Sequence, residues 1–202
     1  MTRLFGLLAL AVVLVGPAAT APAAFQVYVA QLSGPAESPP NASPGIGFAE
    51  VDIDPVAHLM RVQVTFSGLI GTTTAAHIHG PTAVPGAGTA GVATTTPTFP
   101  GFPSGVTAGS YDRTFDMTLA SSYNPAFVTA NGGTPASAEA ALFAAITQGR
   151  AYLNVHTTFA PGGEIRGFLT PAPVPAPSGL LLFATGGVGL IAGLRRRARP
   201  AV

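Results

Sequence analysis

The 202 residues are 48% hydrophobic and only 8% charged, with Gly 25, Pro 20 and no cysteine, which excludes a coiled coil, a disulfide-stapled miniprotein and a site built on thiolates. Lysine is absent, and residues 25–170 hold four arginines against eight carboxylates, a net charge of −4 that argues against a nucleic-acid partner. So little charge beside so much Gly, Pro and Thr points to one all-β body with many turns.

Residues 1–23 read as a secretory signal peptide. Arg3 is the basic start, residues 4–15 form an apolar run, and Ala21-Pro22-Ala23 supplies small residues for a cut after Ala23. The body, residues 24–170, is therefore expected outside the cytoplasm. Its opening alternates Phe25, Val27 and Val29 with Gln26, Tyr28 and Ala30. Ala49, Val51 and Ile53 then alternate with Glu50, Asp52 and Asp54, the period of two of half-buried strands. Asp54-Pro55 turns the chain, and Met60, Val62, Val64 and Phe66 face inward on the second arm of a hairpin. His58, beside that turn, is expected in solvent.

The chemistry sits in Ala76-His77-Ile78-His79-Gly80. On a strand, residues i and i+2 share a face about 6–7 Å apart, so both imidazoles stand side by side while Ile78 packs inward. Residues 80–109 are rich in Gly, Pro and Thr and are expected as a surface loop that carries binding. Tyr111, Arg113, Phe115, Met117 and Leu119 line one face of the next strand. Ser137 as N-cap, Glu139 in the first turn and Gly149 past the end mark one short helix. Strands follow at 151–156 and 164–169, the first placing Tyr152, Asn154 and His156 on one face.

If the strands adjoin, His77, His79 and His156 meet, and three neutral nitrogens suit Zn or Cu. The same spacing also fits histidines that merely hydrogen-bond strand ends and loop carbonyls. Glu164 and Arg166 share a face, placed to pair with each other or to orient an imidazole from behind. No GxSxG elbow, P-loop or HExxH is present, so no catalytic residue is assigned and no enzyme is expected. The architecture expected is an all-β Greek-key sandwich, immunoglobulin-like or superoxide-dismutase-like, with one short helix.

The end of the chain divides into a Pro-rich linker and motif at 171–178, an apolar transmembrane helix at 179–194 and a basic tail at 195–202. Pro175, Ala176, Pro177 and Ser178, the apolar run and Arg195, Arg196 and Arg197 together resemble the PEP-CTERM sorting signal, with Ala176 where the usual motif has Glu. That resemblance implies an exosortase-like membrane enzyme as partner, a transient or retained anchor in the inner membrane, and delivery to the cell surface or exopolysaccharide matrix.

His77-Ile-His-Gly-Pro81 and Ala151-Tyr-Leu-Asn-Val-His-Thr157, followed by Gly162-Gly-Glu-Ile-Arg-Gly167, resemble the two signature blocks of the CHRD domain, and Ala30-Gln-Leu-Ser-Gly-Pro-Ala-Glu-Ser-Pro-Pro40 matches its start. The resemblance implies an extracellular β-rich module with a non-catalytic binding or structural role, its partners being exopolysaccharide or surface proteins. A more distant similarity, the HxH on a strand with a later histidine and arginine, is to copper-zinc superoxide dismutases. It supplies the alternative, a protein that binds Cu or Zn at the histidines.

Overall fold

The computed structural model describes residues 25–173. The expected signal peptide, the motif at Pro175, Ala176, Pro177 and Ser178, the apolar helix and the arginine tail lie outside the described residues. Among those described, no helix is long and apolar enough to cross a membrane.

Among the described residues eight strands follow in order: β1 (Gln26–Ser33), β2 (Ile46–Asp54), β3 (Leu59–Ser67), β4 (Thr73–His79), β5 (Gly109–Asp116), β6 (Tyr152–Thr157), β7 (Ile165–Phe168) and β8 (Thr170–Pro171). Two α-helices, α1 (Pro125–Ala130) and α2 (Pro135–Thr147), lie between β5 and β6. The expected hairpin is present: β2 pairs antiparallel with β3, and Asp54 closes the turn by accepting the amides of Val56 and Ala57. Ala49, Val51, Ile53, Met60, Val62, Val64 and Phe66 are buried as the alternation requires, while β1 turns Tyr28, Ala30 and Leu32 inward and Phe25, just before it, is exposed.

The Greek-key sandwich of two separate sheets is not what forms. The strands follow one antiparallel path, β4-β6-β7-β1-β2-β3-β5, with β8 on β1. Its two parts, β4-β6-β7 and β1-β2-β3-β5, meet through one register pair, Ser33 with Arg166, and curl around a single apolar core. Gly167 explains the seam. A Cβ there would run into the carbonyl of Gln31, so only glycine lets β7 press this closely on β1.

Two further expectations change. The stretch 80–109 is not a plain surface loop, because Thr82, Ala93, Thr94 and Phe99 are fully buried. The strand edge explains this: Ile78 accepts the amide of Ala93 on its carbonyl and donates its own amide to the Thr94 hydroxyl oxygen, and the Ala76 carbonyl accepts the amide of Phe99. The helix α2 starts earlier than Ser137. Thr134 is the N-cap, Pro135 opens the helix, and Ser137 is the reciprocal partner in the capping box. The second helix, α1, escaped the sequence reading because Pro125 heads only six residues, too few for a 3.6-residue period.

Candidate metal centre

On β4 the core-facing residues are Ala76 and Ile78, which sends His77 and His79 to the other face. β6 pairs with β4 so that Asn154 stands opposite His77, Tyr152 opposite His79 and His156 opposite Ala75. The register thus gathers all three sequence-predicted histidines. Their ring centroids lie 5.8 Å (His77–His79), 5.2 Å (His77–His156) and 5.6 Å (His79–His156) apart.

Each ring is held through one nitrogen by a backbone carbonyl. His77 Nε2 donates to Pro97 O at 2.6 Å, His79 Nδ1 to Ala90 O at 3.0 Å and His156 Nδ1 to Pro161 O at 2.9 Å. A carbonyl only accepts, so these contacts fix the tautomers and leave a lone pair on the other nitrogen of each neutral ring. Those atoms, His77 Nδ1, His79 Nε2 and His156 Nε2, are buried and have no hydrogen-bond partner. One donor atom from each of the three residues lies within 4.8 Å of the others. Burial holds the pKa of all three below the ordinary imidazole value, that of His79 at about 4, so the rings stay neutral at pH 7.

Three converging, unprotonated lone pairs on buried atoms could hold a transition-metal ion. Bonds of about 2.0 Å to a central ion set trigonal donors about 3.5 Å apart, so an inward shift of about an ångström closes the set. A buried acceptor left without a partner costs about 1–3 kcal/mol, so each of these lone pairs favours a partner. The carbonyl anchors do the work that outer partners of ligating histidines do elsewhere, fixing tautomer and ring direction.

The two residues expected to stand behind the histidines do different jobs. Glu164 is fully buried and takes the hydroxyls of Ser43 and Thr157, both at 2.6 Å, with the amides of Ile70 and Gly71. It pairs with neither Arg166 nor a histidine, and it ties loops together. Arg166 faces Glu37 at 3.8 Å and donates to the carbonyls of Ala36 and Gly88. Its guanidinium lies 4.7 Å over the Tyr152 ring, and Tyr152 stacks on His79 at 4.9 Å and 5°. Because β6 runs between β4 and β7, that ring is flanked by His79 from one neighbouring strand and Arg166 from the other.

Sequence reasoning missed Tyr152 as a packing partner, Glu37, and the three gripping carbonyls. Alternation had already put Tyr152 on the face of His156; Glu37 carries no local signal, since it is brought in by the seam of the sheet. His58 is not simply solvated: its Nδ1 meets the Glu139 carboxylate at 2.9 Å, because α2 packs beside the β2–β3 turn.

Neither the curated proteins nor the solved structures contain a match to this chain. The CHRD domain model matches residues 28–169, which takes in the whole histidine cluster and both halves of the sheet. The chain belongs to the CHRD domain family.

Proposed function

We propose that this CHRD domain is a non-catalytic transition-metal module that takes Cu or Zn on His77, His79 and His156. The observation that carries the reading is the set of three buried nitrogens without partners, each opposite a nitrogen anchored to a backbone carbonyl. Histidines serving only as hydrogen-bonding struts would have used both nitrogens or turned one to water; these spend one on the loops and leave the other bare. The module works outside the cytoplasm in this proposal, exported by residues 1–23 and sorted by an exosortase-like enzyme to the surface or exopolysaccharide matrix. The sequence of the two chain ends supports that part.

The test is metal content by mass spectrometry on the full chain purified without chelating tags, before and after exposure to Zn and Cu. The comparison protein has His77, His79 and His156 all changed to Ala, its fold checked by circular dichroism. Near-stoichiometric metal that disappears in the variant is expected. A wild-type chain that takes up neither ion refutes the reading, and assays against polysaccharide and surface proteins then take its place.

A further inference from the structure

Resting on this metal site, we propose that the ion it is built to hold is monovalent copper, Cu(I), bound by the three imidazoles alone. The first argument is charge. The cluster offers three neutral rings and no thiolate or carboxylate. The cost of burying an ion rises with the square of its charge, so a divalent ion costs about four times what a monovalent one does when nothing neutralises it.

The charged group coupled to the site deepens this bias. Arg166 places a cation over Tyr152, whose ring stacks on His79, and the Arg166 charge acts on the His79 imidazole. Its carboxylate neighbour, Glu37, is pushed up to about 7 by burial, against the pull of Arg166, and so offsets that cation only in part at neutral pH. A second positive charge on the bound ion is unwelcome here.

Coordination number argues the same way. Zn(II) completes a tetrahedron with a fourth ligand. Cu(I) is satisfied by two or three donors, and here three rings stand at nearly equal separations of 5.2 to 5.8 Å. The other buried unpartnered oxygens, Glu37 Oε1 and Asn154 Oδ1, lie beside Gly163. Cu(II) prefers a tetragonal arrangement, and rings tethered to the carbonyls of Ala90, Pro97 and Pro161 resist swinging into one.

The experiment is a pair of anaerobic competition titrations on the full chain in detergent: Cu(I) against bicinchoninate, and Zn(II) against a chromophoric zinc chelator. The copper-loaded protein is then exposed to air and followed by electron paramagnetic resonance, and its X-ray absorption spectrum is taken. One Cu(I) per chain is expected, with three light donors around it, no paramagnetic signal after air, and Zn(II) released to its chelator. His156→Gln and His77→Gln, folded by circular dichroism, should each lose at least a hundredfold in Cu(I) affinity. Retention of Zn(II) but not Cu(I), or a tetragonal Cu(II) signal after air, overturns the monovalent assignment and leaves the metal reading standing. Failure to bind either ion overturns both. Unchanged Cu(I) affinity in the two folded variants, or a sulfur donor in the wild-type spectrum, moves the site away from these histidines.

Discussion

Two buried carboxylates, Glu37 and Glu164, respond to pH in opposite senses because the donors around Glu164 outweigh its burial and the Ser38 amide and Arg166 beside Glu37 do not. Burial pushes Glu37 up to about 7, and Arg166 and the Ser38 amide only partly offset it. An acid harder to ionise when folded contributes stability that is complete below its ordinary value of 4.5 and is lost as pH rises through about 7. Burial also pushes Glu164 up, but the hydroxyls of Ser43 and Thr157 and the amides of Ile70 and Gly71 outweigh it and hold the carboxyl below its ordinary value. Its contribution is present above that ordinary value and fades as pH falls through the lowered one. Urea denaturation of Glu37→Gln against wild type should therefore show the variant gaining relative stability between pH 5 and pH 8, by about 1–3 kcal/mol. Using the difference from wild type cancels the titration of the three histidines, which runs the other way. Glu164→Gln should lose about 3 kcal/mol at pH 7, since an amide turns donors toward donors, and less at pH 3. Equal pH profiles for Glu37→Gln and wild type would show that Glu37 ionises freely in the fold.

At the scale of elements, strands were the legible part. The alternation at 49–53 and 60–66 named the inward faces correctly, because both strands have a solvated side against which the pattern shows. β1 was less clear: Phe25 and Val27 are apolar on the side away from the core, so alternation alone left the buried face open. The histidine cluster was legible as a possibility through two periods of two, at 77–79 and 152–156. Its assembly was not, since adjacency of β4 and β6 is set by a crossover of more than seventy residues. The gripping carbonyls of Ala90 and Pro97 sit in a stretch whose Gly, Pro and Thr content hides Phe99 and Thr94 as core residues. The start of α2 was displaced because Ser137 shares the cap with Thr134, whose side chain accepts the Ser137 amide. Thr134→Ala should lower stability by about 1 kcal/mol in urea denaturation. A change below a few tenths would place the effective start of the helix at Ser137.

The described strands form one curled sheet joined at Ser33 and Arg166, and the proposed metal site belongs to one part of it. His77 and His79 stand on β4 and His156 on β6, while the loops that grip them run through Ala90, Pro97 and Pro161. A bound ion links these pieces directly, whereas β2, β3 and β5 are linked to it only through the common core. Binding to the native state alone adds stability as the logarithm of ion concentration over the dissociation constant, about 2.7 kcal/mol at a hundredfold excess. Amides that open only with global unfolding should gain that full protection everywhere. Amides that open locally should gain it only where the ion ties the opening segment down. Hydrogen exchange on the full chain, with and without Cu(I) supplied anaerobically, should therefore slow most in 88–98 and 158–163, although these are loops. The β2–β3 turn at 55–58 should exchange as before, because its opening leaves the histidines in place. Uniform slowing that includes this turn, with no excess in the two loops, would mean that the carbonyl anchors are firm without the ion and that the ion acts through global stability alone.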